Sequence, residues 1–179
     1  KESKDKNYKD LTSFTFIFAW FSGWCTVCMC CLYQPFVRLW MSGDTTMMLS
    51  DFNMVLFCVY FYAIVMNNTR NLYLNGSGLF WECRIWYVLE AVANIVLNIL
   101  LVHWFGMTGI ILATIITIFV FNFITRTNLV FKKYFEMSPK HFYVQHFWYA
   151  IVTFIACVIT YAACDCIVID GFPKLLLNA

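Results

Sequence analysis

Residues 91–125 read AVANIVLNILLVHWFGMTGIILATIITIFVFNFIT, which is 35 consecutive residues without a formally charged side chain. An α-helix rises about 1.5 Å per residue and the hydrocarbon core of a bilayer is about 30 Å thick, so about 20 residues make one crossing. The run is therefore long enough for nearly two crossings, and its one plausible break is the FGMTG segment at residues 105–109. We predict two transmembrane helices joined there by a tight turn.

The composition of the whole chain is typical of a membrane protein. Hydrophobic residues make up 62% of the 179 residues and charged residues 12%, whereas about 25% of an ordinary soluble domain is charged. The predicted fold class is an all-α membrane protein that forms a single transmembrane helical domain over residues 1–179. Its charge-free runs predict five spans, at about residues 11–33, 47–69, 85–103, 108–125 and 143–164.

The distribution of Lys and Arg predicts the orientation, because basic residues in short loops are retained in the cytoplasm. Five spans leave only Arg38 and Lys174 on one side of the membrane. The other side holds Lys1, Lys4, Lys6, Lys9, Arg70, Arg84, Arg126, Lys132, Lys133 and Lys140. We therefore predict a cytoplasmic amino terminus and an external carboxyl terminus. The basic residues form no single patch, so nothing indicates a nucleic-acid partner.

The ends and the connections of the chain carry further predictions. The first residue is Lys, and the apolar residues 175–177 follow Pro173 as if a sixth span were beginning, so we interpret the chain as a fragment. Residues 34–45 and 103–108 are predicted to be short external turns. Residues 126–140 form an amphipathic connection, for which a helix in the headgroup layer and a solvated linker are equally plausible.

No pattern predicts catalysis, a metal site or a cofactor. Cys25, Cys28, Cys30 and Cys31 lie in one apolar span, where helical geometry points successive side chains in different directions, so small packing residues are the favoured interpretation. Cys164 and Cys166, at the predicted external edge, remain candidates for oxidation. The three histidines stand at span ends without a motif that links them to a nucleophile or a carboxylate, and we predict that the protein is not an enzyme.

The third span carries polar residues along one face. Glu90, Asn94 and Asn98 are spaced four residues apart and therefore form one stripe on an otherwise apolar helix. An ionisable group at membrane depth is costly and usually faces a partner or an aqueous cavity. For Glu90 we expect a cavity or a buried ion pair on the cytoplasmic side, with Arg70, Arg84 and Arg126 as candidate partners. For the two asparagines a hydrogen-bonded seam between helices is favoured over a cavity wall.

Other polar residues in the spans are expected to have structural roles. Thr114, Thr117 and Asn122 give the fourth span a weaker polar face that either packs against the stripe or extends it. The hydroxyl groups of the first span are expected to bond back to their own helix; they belong to Thr12, Thr15, Ser22 and Thr26.

Three segments resemble the polysaccharide transporter family, the flippases of lipid-linked O-antigen units. Residues 32–40, LYQPFVRLW, resemble the family's LYxPFIxLW signature, with Gly43 near its following glycine. Residues 90–114, EAVANIVLNILLVHWFGMTGIILAT, resemble its EAxxNLxxSxxLVxxFGxxGxxxGT hairpin, although Asn98 and Ala113 stand where a small residue and a glycine are usual. Residues 131–135, FKKYF, fit the segment that follows. Related multidrug exporters share part of the hairpin motif.

The resemblance implies a transporter of two pseudo-symmetric helix bundles, of which this chain is part of the second. Its implied partners are an undecaprenyl-diphosphate-linked oligosaccharide, membrane lipids and the missing amino-terminal bundle. It also implies a multi-pass protein of the bacterial inner membrane. Arg38 and Arg70 are candidate ligands for the pyrophosphate, because a guanidinium binds oxygens in pairs. For Arg70 and Arg84, a role in topology alone is at least as plausible.

Two alternative functions remain open from the sequence. A multidrug or cation-coupled extruder of the same superfamily would use Glu90 as a proton or ion site. A membrane-embedded polysaccharide polymerase or transferase would need a large external loop or a cluster of carboxylates or histidines at a membrane face. Neither of these last features is visible in the sequence.

Overall fold

The computed structural model describes residues 4–41 and 48–165, which fold into five long helices without a strand. All five helices are long and apolar enough to cross a membrane, which confirms the predicted number of helices of spanning length. They are α1 (Lys4–Trp40), α2 (Asp51–Gly76), α3 (Phe80–Phe105), α4 (Met107–Phe135) and α5 (Lys140–Asp165). The predictions that involve Lys1, Gly43, Cys166, Lys174 and residues 175–177 lie outside the described residues.

The helices are longer than the predicted spans, and the predicted turn at residues 34–45 is wrong at its start. Gln34 and Pro35 lie inside α1, which continues to Trp40. An interior proline usually weakens a helix. Here the Gln34 amide donates to the Leu49 carbonyl oxygen (2.8 Å) and to Asp51 Oδ1 (3.2 Å), so contacts with the start of α2 hold this turn in place. Charge-free length measures the apolar part of a helix and not its full extent.

The predicted connection at residues 126–140 is also shorter than expected. Residues 127–135 are neither a separate interfacial helix nor a linker, because α4 continues unbroken to Phe135. The reason is packing: Phe131 is fully buried and Phe135 almost so, in contact with other helices. The helix ends where Glu136 adopts a left-handed conformation, with φ of 57°. Residues 136–139 connect it to α5.

Helix α1 packs between α2 and α5, α2 also packs against α4, and α4 pairs with α3. Short connections make sequential helices antiparallel, so the amino ends of α1, α3 and α5 meet the carboxyl ends of α2 and α4. A buried cluster lies at this end of the bundle, made of Leu11, Leu74, Cys83, Val130, Phe131, Phe135 and Phe142. Every helix contributes to it.

The side predicted to be cytoplasmic is the end of the bundle that contains the buried cluster. Nine of the described basic residues lie in the half of the bundle that contains the cluster, and Arg38 lies near the opposite end. The lateral surface is apolar: among the described side chains, Cys83 alone is buried in α3, and Phe142 and His146 alone are buried in α5. Large exposed hydrophobic side chains of this kind are expected where a helix faces lipid or another bundle.

The turn between α3 and α4 is tighter than predicted, since Gly106 alone separates the two helices. Gly106 has φ of +56°, a conformation that side chains disfavour. Gly109 allows close approach, because a Cβ atom there would overlap the backbone carbonyl of Leu101. The two glycines therefore close the hairpin in different ways, Gly106 by its positive φ and Gly109 by close packing.

Candidate functional site

A buried ion pair joins α3 to α4. Arg126 Nη2 contacts Glu90 Oε2, and the side chains are 3% and 20% exposed, respectively. The guanidinium carbon of Arg126 also lies 3.7 Å from the centre of the Tyr87 ring, one turn before Glu90. Of the three arginines considered from the sequence, the structure thus pairs Arg126 with Glu90. A charge pair this well shielded is much less screened than one on the surface.

Arg70, on α2, is the second buried guanidinium, with 1% of its surface exposed. It has no carboxylate partner among the described residues. Oxygen atoms of α2 and α4 surround it instead: Nη1 donates to the Asn122 carbonyl (2.8 Å), Thr127 Oγ1 (3.0 Å) and Asn67 Oδ1 (3.2 Å), and Nη2 donates to Asn71 Oδ1 (2.8 Å). Nη2 also contacts Asn122 Oδ1. Arg70 therefore carries its charge in a cage of neutral acceptors.

The cage depends on an irregularity in α4. Residues Ile118–Arg126 form π-helical turns, and the N–H of Thr127 points at the carbonyls of Phe123 and Ile124 and bypasses that of Asn122. Arg70 supplies a donor to the Asn122 carbonyl. Because this bond ties the guanidinium to the main chain of α4, Arg70 stabilises the π-helical stretch. Such stretches within α-helices are frequent at functional sites.

Asn122 connects the acceptor cage of Arg70 with the Glu90–Arg126 ion pair. Its side chain accepts from Arg70 and lies beside the Glu90 carboxylate, which Arg126 contacts. We call Arg70, Glu90, Asn122 and Arg126 the charge cluster. It holds two guanidinium groups and one carboxylate, so its formal charge is positive. The Nε atoms of both arginines are buried without a hydrogen-bond partner in the described structure.

Asn94 continues from the charge cluster as a hydrogen-bonded seam between α3 and α4, and Asn98 supports it from within α3. Asn94 Nδ2 donates to Thr117 Oγ1 (3.1 Å) and approaches Thr114 Oγ1 (3.5 Å), both on α4. Asn98 Nδ2 donates to Asn94 Oδ1 (2.9 Å). The polar face of the fourth span thus packs against the stripe, as one of the two expected arrangements. The hydroxyl groups of Thr12, Thr15, Ser22 and Thr26 donate to carbonyls of α1, as expected.

The remaining candidate residues lie apart from the charge cluster. Arg38 is exposed in the last turn of α1, near the end of the bundle opposite to Arg70. The structure therefore does not bring the two candidate pyrophosphate ligands together. Arg84 is also exposed and lies over the Trp81 ring, 4.2 Å from its centre. No group of His, Cys, Asp or Glu that fits a metal ion occurs among the described residues.

Sequence reasoning missed part of the cluster. It placed Asn122 on a weak polar face but did not connect it with Arg70, and it did not single out Tyr87 or Thr127. Tyr87 precedes Glu90 by three residues, which is a spacing that places both on one face of α3. The π-helical turns that aim the Asn122 carbonyl at Arg70 leave no recognisable sequence pattern.

In comparisons with known proteins, no family model, no curated protein and no solved structure matches the chain.

Proposed function

We propose that this chain is part of a membrane flippase that moves an undecaprenyl-diphosphate-linked oligosaccharide from the inner to the outer leaflet of a bacterial cell membrane by alternating access. The observation that carries the proposal is the charge cluster. Buried ionisable groups in a spanning helix are rare and usually mark the path of a substrate or ion. An arrangement with two guanidinium groups and one carboxylate favours an anionic cargo, and a diphosphate is such a cargo.

The location of the cluster also supports this proposal. Arg70 and Arg126 lie in the half of the bundle that we assign to the cytoplasm, where a lipid-linked oligosaccharide is loaded. Both are held by neighbouring helices, so their charge is fixed in place and does not depend on a flexible loop. We propose that the cluster sets a positive potential at the inner end of the cavity between the two bundles. The apolar lateral surface leaves the lipid tail in the bilayer.

The Glu90–Arg126 contact distinguishes this proposal from a cation-coupled extruder. A carboxylate that binds a transported cation must release its own cationic partner first, whereas Glu90 is in contact with Arg126. The proposal assigns Glu90 the task of orienting Arg126 and assigns no residue a catalytic step. Arg38, at the predicted external end, is proposed as a contact for the diphosphate after it has crossed.

Complementation in a strain that lacks its own flippase tests the proposal. The full-length protein should restore surface polysaccharide, and Glu90→Gln should be inserted at near-normal levels yet lose much of that output. Asn98→Ala is the matched control, because it removes one hydrogen bond of about 0.6 kcal/mol from the same face of α3. Normal output of Glu90→Gln over a range of pH would refute a role for the charge. Efflux of a fluorescent cation without restored polysaccharide would favour the extruder.

A further inference from the structure

An apolar cavity of about 730 Å³ lies between α2, α4 and α5 and borders the charge cluster, whose Arg70 contacts the wall residue Asn67. It forms where the amino-terminal part of α5 diverges from the middle of α4, and its walls are mainly aliphatic and aromatic. Representative wall residues are Val59, Met66, Ile118, Phe119, Val144 and Ala150. Ligand pockets in proteins commonly have volumes of about 300–1,000 Å³.

Polar side chains are few in the wall: Asn67 and Tyr143 are hydrogen-bonded within the protein, whereas the Tyr62 hydroxyl and His146 Nε2 have no hydrogen-bond partner among the described residues. Asn67 donates to the Ala63 carbonyl (2.8 Å) and accepts from Arg70 (3.2 Å). The Tyr143 hydroxyl donates to the Ile124 carbonyl at 3.1 Å. Most of the other wall residues are aliphatic or phenyl side chains. The cavity therefore favours a hydrocarbon occupant.

One end of the cavity is polar and basic. Asn128 lines both the cavity and a second concavity of about 540 Å³, whose other wall residues are Lys132, Glu136, Met137 and Pro139. Glu136 is paired with Lys4, with 2.7 Å between Nζ and Oε1. Lys132 follows Asn128 by one helical turn, is exposed, and has no ion pair among the described residues. The mouth therefore offers an uncompensated positive charge beside an apolar slot.

The size of the cavity argues against a protein helix as its occupant. A helix with side chains is about 10–12 Å across and rises 5.4 Å per turn, so fewer than about two turns would fill the cavity. A flexible alkyl chain has no such restriction. Basic pockets between transmembrane helices on the cytoplasmic side are sites at which anionic phospholipids bind.

From these observations we propose that the cavity binds an anionic glycerophospholipid of the inner leaflet, with an acyl chain between α2, α4 and α5 and the phosphate at Lys132 and Asn128. The lipid fills the space that separates α5 from α4. This site is distinct from the charge cluster and does not depend on what the protein transports.

Lipid binding to the purified full-length protein in detergent tests the proposal. Native mass spectrometry and thermal unfolding are recorded with phosphatidylglycerol, with phosphatidylcholine of the same acyl chains, and with inorganic phosphate. We expect phosphatidylglycerol to bind most tightly and to raise the unfolding temperature. Lys132→Ala should weaken that binding about fivefold, as expected for one basic residue near a membrane surface, while Lys9→Ala, at the same end of the bundle, should not.

A second pair of variants tests the acyl-chain site. Ala150→Trp places a large ring in the cavity and should abolish lipid retention, whereas Ala162→Trp, on an exposed position of α5 outside the cavity, should leave it intact. The proposal is overturned if Lys132→Ala binds phosphatidylglycerol as the wild type does, or if inorganic phosphate protects equally well. It is also overturned if the wild type retains no lipid, which is the result expected if another protein segment fills the cavity. If Ala150→Trp does not fold, the comparison of Lys132→Ala with Lys9→Ala still tests the proposal.

Discussion

Truncating either partner of the Glu90–Arg126 pair to alanine should destabilise the protein, and by unequal amounts. Removal of one member of a buried ion pair typically costs about 3–5 kcal/mol, because the other charge stays buried without compensation. Glu90→Ala leaves Arg126, which is 3% exposed, so we expect a loss near the top of that range. Arg126→Ala leaves Glu90, which is 20% exposed and therefore partly solvated, so we expect a loss of about 3 kcal/mol or less.

Unfolding of the purified full-length protein by sodium dodecyl sulfate in mixed micelles, followed by tryptophan fluorescence, measures these free energies. The double replacement Glu90→Met and Arg126→Met should lose less stability than either single alanine variant, because it buries no uncompensated charge. Losses below about 1 kcal/mol for both single variants would refute the reasoning, since such values are typical of exposed pairs. A double variant as unstable as the sum of the single variants would refute the coupling.

Two further variants test packing and hydrogen bonding in the same assay. Gly109→Ala should lower the free energy of unfolding by about 3 kcal/mol or more, because the new Cβ overlaps the Leu101 carbonyl. Gly76→Ala, with open space around it, should be neutral or stabilising. Equal effects of the two variants would contradict the close approach of α3 and α4. Arg70→Lys should cost about 2 kcal/mol or more, because an ammonium group cannot span the acceptors of the cage, while Arg84→Lys on the surface should change little. A neutral Arg70→Lys variant would show that the cage does not stabilise the π-helical turns.

The sequence was sufficient to predict the elements whose cause is local. The lengths of the charge-free runs predicted five helices, because the free energy of moving a helix from water into lipid depends on its own residues. The segment that contains Gly106 and Gly109 predicted the hairpin, because a tight turn depends on local backbone geometry. The i+4 spacing of Glu90, Asn94 and Asn98 placed them on one face of α3. The ends of the helices were less predictable: Pro35 inside α1 and Phe135 at the end of α4 are held in helices by tertiary contacts.

The parts of the site that depend on neighbouring helices were only partly predictable. Three arginines were plausible partners for Glu90, and only packing of α3 on α4 selects Arg126. Arg70 was considered as a ligand for pyrophosphate, yet the structure encloses its guanidinium in a cage of acceptors. One of these acceptors is the backbone carbonyl of Asn122, which lies within the π-helical turns of α4. The apolar cavity likewise arises from the divergence of α4 and α5, which no single segment encodes.

The most direct test of the five-span arrangement is a set of reporter fusions in the full-length gene. Green fluorescent protein fluoresces only when it remains in the cytoplasm, and alkaline phosphatase is active only outside. Fusions after Ser77 and after Met137 should fluoresce, and fusions after Met41 and after Phe105 should show phosphatase activity. If the fusions after Ser77 and after Phe105 report the same side, α3 does not cross the membrane and the proposed transporter architecture is wrong.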